Sequence, residues 1–376
     1  MKLAIAQFLS SLHLGGQERV TVDLARAFQK KGHQSIVCTT MVRGELADEL
    51  ESNGIQFKCF SFKKSYNLHS LTTVMRYLRE NKVNVVITHG NYRFIPRIAS
   101  IILQIPVIIH VEHTISNNKK FFHVLINKLL SMRTDKIICV SENTKKSLLE
   151  IERPNIDKVV VIPNGLDIER FSNLKPKQNI KKSVKRIGII GSFKEAKGHI
   201  YFVRAAAKII QSFKNVEFIF VGDGSLRQMI EQKVREYGIE KYCHFLGNRS
   251  EVGEILETLD VFVLSSLWEG LPISILEAQY FGIASVVTNV GGNSEVIKDG
   301  YNGLLVPPKN SEALSAAIIK VLHDNKLRSF LGSNAREIFK HRYSIETMAN
   351  AYLEQIYNIL QYKKVKGLNP INLLHD

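Results

Sequence analysis

Residues 260–287 read DVFVLSSLWEGLPISILEAQYFGIASVV, and the order of residue types in this stretch decides the fold. Residues 260–264 form an apolar, β-rich run of strand length, and residues 284–287 form another. Between them, Pro272 suits the first turn of a helix, Ile275, Leu276 and Ala278 continue it, and Gly282 fits its end. Strand, helix, strand is the unit of a parallel sheet covered by helices.

The same alternation extends in both directions from this stretch. Further strands are expected at residues 3–7, 35–38, 57–60, 83–88, 107–110, 136–140 and 159–162, and after a break at 186–190, 217–221 and 243–245. Helical segments lie between them, with two at residues 312–322 and 345–360 closing the chain. A chain of 376 residues exceeds the roughly 250–300 residues at which single cores stop growing, so two domains are expected. Residues 173–185 are polar, basic and aperiodic, with Pro176 among them. The expected organisation is therefore an α/β chain with a Rossmann-like domain at 1–172, a linker at 173–186, a second Rossmann-like domain at 187–344 and a C-terminal helix and tail at 345–376 that crosses back to the first domain.

Composition narrows the class of protein. Hydrophobic residues make up 45% of the chain, enough for packed cores and far from a disordered composition. Cys38, Cys59, Cys139 and Cys243 are scattered without metal-ligand or disulfide spacing, which fits a reducing compartment. The first residues read as a strand rather than a signal segment, and the longest apolar stretch, 98–109, is interrupted at Ser100, Gln104 and Pro106. The expected location is the cytoplasm. The net charge of +16 is unevenly placed: residues 1–170 hold 24 Lys and Arg against 15 Asp and Glu, residues 171–186 hold six against none, and residues 187–376 hold 21 against 20. Such asymmetry suits an anionic partner on the first domain, either lipid headgroups or nucleic acid. A solubilising surface is the plainer alternative.

In open α/β sheets ligands bind beyond the carboxyl ends of the strands, and the informative residues here follow strands. HLGGQERV places Gly15 and Gly16 before a helix, where the backbone can approach a phosphate, although a Gly-Gly turn is often only a turn and the G-x-G-x-x-G spacing is missing. GSFKEAKGH follows one strand and carries Lys197, a cation for phosphate oxygens. In the opening stretch, Glu269 lies before the helix and Glu277 on its second turn; between them Gly270, Leu271, Pro272, Ile273 and Ser274 form the helix start, whose amides, all but that of Pro272, can hold a diphosphate.

Taken with VIPNGLDIERF, KGHIYFVRAA, FVGDGSLR, FLGNRSEV, TNVGGNSEVI and NGLLVPP, these strings resemble the retaining GT-B glycosyltransferases of the group 4 class over about 350 residues. The resemblance implies a GT-B fold, two Rossmann-like domains facing each other across a cleft. It implies that Glu269 contacts the transferred sugar and Glu277 the ribose hydroxyls, and that Gly16 and Lys197 hold the diphosphate. The segment containing Asn248 and Arg249 then lies beside the base. His113 looks like the family's cleft histidine, with His110 a competitor, so the catalytic candidates are His113, Glu269 and Lys197. The sequence departs from the family at Ser192, where an Arg is usual, leaving Lys197 and either Lys194 or Arg249 as cations.

The family implies transfer with retention of configuration by departure of the leaving diphosphate on the front face. The resemblance also implies a UDP- or GDP-linked sugar as the donor. No D-x-D string follows a strand, so no metal and no cofactor are expected. KKFFHVLINKLLSMR, residues 119–133, mixes aromatic, aliphatic and basic residues on an expected helix, which either lies on an anionic membrane surface or packs on the sheet. These features favour a saccharide or lipid-linked saccharide acceptor in cell-envelope polysaccharide synthesis, with the enzyme peripheral at the cytoplasmic face. The rival readings are the same chemistry on a soluble acceptor, a nucleotide-sugar epimerase and a basic binding protein. Nucleic acid is not expected, because no helix-turn-helix, zinc or RNP string is present.

Overall fold

A computed structural model describes residues 1–62, 67–90, 94–115, 121–172, 174, 184–250 and 252–366. Its strands are short runs rich in β-branched and aromatic residues; the central ones are buried on both faces, as covered parallel strands require, while the edge strands at residues 56–59 and 243–245 are partly exposed. The first seven are β1 (Ala4–Leu9), β2 (Gln34–Thr39), β3 (Gln56–Cys59), β4 (Val85–His89), β5 (Val107–Glu112), β6 (Lys136–Cys139) and β7 (Val159–Val161). The next six are β8 (Lys185–Ile190), β9 (Val216–Val221), β10 (Cys243–Phe245), β11 (Val261–Leu264), β12 (Ala284–Thr288) and β13 (Leu304–Val306). They pair in parallel throughout, in two sheets with the orders β3-β2-β1-β4-β5-β6-β7 and β10-β9-β8-β11-β12-β13. Each sheet reverses direction of winding once, between β1 and β4 in the first and between β8 and β11 in the second. A reversal leaves a crevice beyond the strand ends that no crossover helix covers.

The chain divides into two compact units, Met1–Asn164 with Ile345–Asp376, and Gly165–Ser344. The first boundary falls eight residues before 172, because residues just after Gly165 pack on the second unit. Leu166 bridges to Ser344, and the Phe171 ring stacks on Tyr280 at 5.4 Å and meets Phe281 edge-on at 5.0 Å. The expected linker, 173–186, lies outside the described residues at 173, 175–180 and 181–183. Its end is already strand: Asp260 accepts from the Arg186 backbone at 3.0 Å and pairs with Lys185 at 3.1 Å, which starts β8 at Lys185. The closing helix Ile345–Val365 packs on the first unit through Tyr352 against Phe28 and a Lys363–Asp135 ion pair of 2.6 Å.

Two elements had no expectation in the sequence. β13 has only three residues, hemmed by Gly303 and Pro307, too few for a periodic signal. The helix Asn325–Arg342 is mostly polar and buries only Leu331, Gly332, Ala335 and Phe339. The core of the second unit is built around Phe193, Phe202, Phe218, Phe220 and the aliphatic residues of β8, β9 and β11.

Candidate functional site

In the second unit, the turn after β8 and the turn after β11 meet at the sheet's reversal point. Three bonds lock them together: Leu267 N donates to Ala196 O at 2.7 Å, and Ser265 Oγ donates to the carbonyls of Lys197 and Gly198 at 3.1 and 3.0 Å. The approach is close enough that only glycine fits at 198, where φ is +58° and a Cβ would strike the Ser265 carbonyl. Lys197 and Glu269 are thereby brought together, Nζ to Oε1 at 2.5 Å. Ser266 Oγ donates to the same Oε1 at 2.6 Å, and Oε2 receives no bond from a described residue. One carboxylate oxygen is therefore held by the protein while the other remains an open acceptor.

Behind this loop, Thr288 Oγ1 donates to Ser266 O at 2.7 Å, and Asn293 Nδ2 donates to Thr288 O at 2.9 Å. Gly292 lies so near Gly270 that a Cβ would meet the Gly270 carbonyl. Gly270, Leu271, Pro272, Ile273 and Ser274 are buried at the start of the helix Ile273–Tyr280, whose cap, Pro272, offers no side-chain bond. Helix amides here point toward the sheet edge with no side-chain cap to occupy them.

Glu277 sits one turn further along, buried, with Arg170 Nη2 at 3.4 Å. Arg170 also lies over the Phe171 ring at 5.2 Å. Ser192 is partly buried, and its carbonyl accepts from Lys194 N at 2.7 Å. The Lys194 side chain is exposed, as are Asn248 and Arg249 in the turn after β10. None of the three is bonded to the side chains of the Lys197–Glu269 pair, whose side-chain partners are each other and Ser266. His199 is buried against Phe193, ring centroids 4.2 Å apart, and burial pushes its imidazole down to about 3.

In the first unit, Gly15 caps the helix Gly16–Lys30 without a side-chain bond, and Gln17 of that helix reaches over Gly90. β5 extends to Glu112, two residues beyond the expected end, because Glu112 pairs with Cys139 of β6. His113 therefore stands just past the strand, whereas His110 is inside the sheet with its Nδ1 2.9 Å from Thr88 Oγ1. His113 Nε2 is 3.0 Å from His89 Nδ1, and His89 Nε2 is 3.0 Å from Gln7 Oε1. Desolvation carries the His113 imidazole down to about 3 and the His89 imidazole well below its ordinary value, with the neighbouring His113 adding to the latter shift.

Sequence reasoning missed Gln7, His89, Ser266 and Arg170. The signal for His89 was available, since THG closes β4 at the reversal point much as HVEHT runs off the end of β5. Gln7 and Arg170 carried none, one reading as a strand residue and the other as a surface charge. Among the described residues, no three His, Cys, Asp or Glu side chains gather as a metal site.

The helix Phe121–Arg133 is built inside out. Asn127 and Ser131 are its buried residues, while Phe121, Phe122, Leu125, Leu129 and Met132 are exposed, Phe121 at 84%. Buried Arg97 explains the inversion, donating to Asn127 Oδ1 at 3.1 Å and Thr134 Oγ1 at 3.0 Å, while Asn127 Nδ2 donates to Glu152 at 3.0 Å. A buried guanidinium must be bonded, so the polar face turns inward and the apolar face outward. Lys119 and Lys120, which precede the helix, lie outside the described residues.

Two Rossmann-type units with reversal-point crevices, one holding a Lys–Glu pair and a helix start with a second glutamate, define a GT-B glycosyltransferase. Comparison with known proteins agrees: residues 14–170 match Glycosyltransferase Family 4 and residues 170–338 match Glycosyl transferases group 1, and the chain belongs to this GT-B family. A UDP-Gal:alpha-D-GlcNAc-diphosphoundecaprenol alpha-1,3-galactosyltransferase of Escherichia coli is 26% identical, over 95% of this chain and 98% of that protein. A GalNAc-alpha-(1->4)-GalNAc-alpha-(1->3)-diNAcBac-PP-undecaprenol alpha-1,4-N-acetyl-D-galactosaminyltransferase of Campylobacter jejuni is 28% identical, over 89% and 93%. Among solved structures, Anabaena HepE in complex with UDP and glucose superposes with a TM-score of 0.83 at 20% identity, covering 95% of this chain and all of that one. No described helix is long and apolar enough to cross a membrane.

Proposed function

We propose that this glycosyltransferase moves a hexosyl or N-acetylhexosaminyl group, with retention of configuration, from a UDP- or GDP-linked sugar to a hydroxyl of a lipid-linked saccharide in cell-envelope polysaccharide synthesis. The observation that carries the reading is the Lys197–Glu269 pair at the reversal point of the second sheet. There Lys197 and the amides opening the helix Ile273–Tyr280 neutralise the diphosphate, doing without a metal or other cofactor. The open Oε2 of Glu269 accepts from a sugar hydroxyl, and Glu277 accepts from the ribose. The leaving diphosphate takes the proton of the incoming hydroxyl on the face it departs from, so the protein's work is positioning and charge stabilisation. The names of the Escherichia coli and Campylobacter jejuni relatives, both describing undecaprenol-linked acceptors, support the acceptor class.

The outward apolar stripe of the helix Phe121–Arg133, flanked by exposed Lys128 and Arg133, supports peripheral attachment at the cytoplasmic membrane face. Each basic side chain near an anionic surface contributes about 1 kcal/mol, so a few give reversible binding. The proposed transfer is tested by offering UDP- and GDP-sugars with undecaprenyl-diphosphate saccharides and reading the product anomer by NMR. An α-linked product from an α-donor is expected; an inverted product, or donor epimerisation without transfer, refutes the reading. Attachment is tested by co-sedimentation with anionic vesicles, where Lys128→Glu with Arg133→Glu should weaken binding and 1 M salt, with a Debye length of about 3 Å, should abolish it. Absence of binding at low salt would favour a soluble acceptor.

A further inference from the structure

Three buried polar side chains form one line at the reversal point of the first sheet. Gln7 comes from β1, His89 from the end of β4 and His113 from just beyond β5. Gln7 Nε2 donates to Thr21 O at 3.4 Å, Gln7 Oε1 stands 3.0 Å from His89 Nε2, and His89 Nδ1 stands 3.0 Å from His113 Nε2. A backbone carbonyl only accepts, so the amide nitrogen of Gln7 faces Thr21 and its oxygen faces His89.

Every proton in the line then has one place. His89 must carry its proton on Nε2 to donate to Gln7, which leaves His89 Nδ1 as an acceptor. His113 must carry its proton on Nε2 to donate to that acceptor. Burial keeps both rings neutral, so neither holds a second proton. His113 Nδ1 is left as a bare lone pair, and no described residue donates to it.

We propose that Gln7 and His89 are positioning residues that hold His113 as the neutral Nε2–H tautomer, so that its Nδ1 accepts a hydrogen bond from a hydroxyl of the bound sugar. This rests on the reading of the protein as a glycosyltransferase with His113 at its substrate. A neutral lone pair accepts from a hydroxyl and repels a carboxylate, so the contact selects a neutral sugar group at this point.

The test is two-bond 1H–15N NMR on histidine-labelled protein at pH 7.5, with the His113 signals assigned by loss in His113→Gln. The expected spectrum shows His113 protonated at Nε2 and unprotonated at Nδ1. Gln7→Leu removes the acceptor that orients His89, and should give a mixed His113 tautomer with kcat/KM lowered roughly tenfold, as for loss of one hydrogen bond. A His113 protonated at Nδ1 in the wild type, or a tautomer unmoved by Gln7→Leu, overturns the proposal. So does a Gln7→Leu protein with a mixed tautomer and full kcat/KM. The wild-type spectrum needs no turnover, so an unexpected tautomer is distinguishable from a failure to transfer sugar.

Discussion

Replacing Lys197 by alanine removes the cation at the second unit's reversal point and leaves Glu269 Oε1 with Ser266 as its one donor. The pair is 2.5 Å long with side chains 20% and 10% exposed, so solvent screens it little. A hydrogen bond to a charged group contributes about 1.5–3 kcal/mol. At about 1.4 kcal/mol per decade that is roughly a 10- to 150-fold loss. The loss should fall mainly on kcat, because charge on the diphosphate grows as the sugar departs and the cation is worth most in the transition state. Lys194→Ala is the control, since its exposed side chain makes no bond to Glu269 and should cost less than about twofold. The assay is steady-state transfer from a nucleotide-sugar, with the thermal midpoint of each variant measured alongside to separate lost chemistry from lost fold. Equal losses in the two variants, or full turnover in Lys197→Ala, would refute the assignment of the cation.

Glu277→Ala should weaken donor binding at least tenfold with a smaller effect on kcat, because bonds to ribose hydroxyls exist equally in ground and transition states; titration calorimetry with the nucleoside diphosphate checks this. Ser192→Arg should tighten UDP or GDP binding by adding a cation to the turn after β8, and unchanged affinity would show that the turn does not face the diphosphate. His89, His113 and His199 are buried with their pKa values lowered, His113 and His199 to about 3. The unfolded chain takes up protons on these rings below about pH 6.5, and the folded state does not. Their contribution to stability is thus complete above about 6.5 and falls as the pH drops toward 3, by up to about 1.4 kcal/mol per unit for each ring. Urea midpoints at pH 7.5 and 5.5 should differ accordingly, and identical midpoints would count against burial of neutral rings.

Periodicity alone determined the alternation of strands and helices, because parallel strands buried on both faces must be continuous apolar runs and their covering helices must be amphipathic. The string from Ser265 to Gly282 likewise announced its own turn and helix, since Pro272 and Gly282 act through local backbone geometry. The tertiary structure alone decided what meets what. Lys197 and Glu269 are 72 residues apart and become a pair only because β8 and β11 are neighbours in the sheet. Gln7, His89 and His113 are far apart in the chain and form a line only through the order β1-β4-β5. The helix Phe121–Arg133 makes the same point in reverse: its composition allowed an apolar face on the core, and the buried guanidinium of Arg97 turned Asn127 inward instead. Local propensity acts between residues a few positions apart, whereas the burial of a charge is settled by whichever distant groups can satisfy its hydrogen bonds.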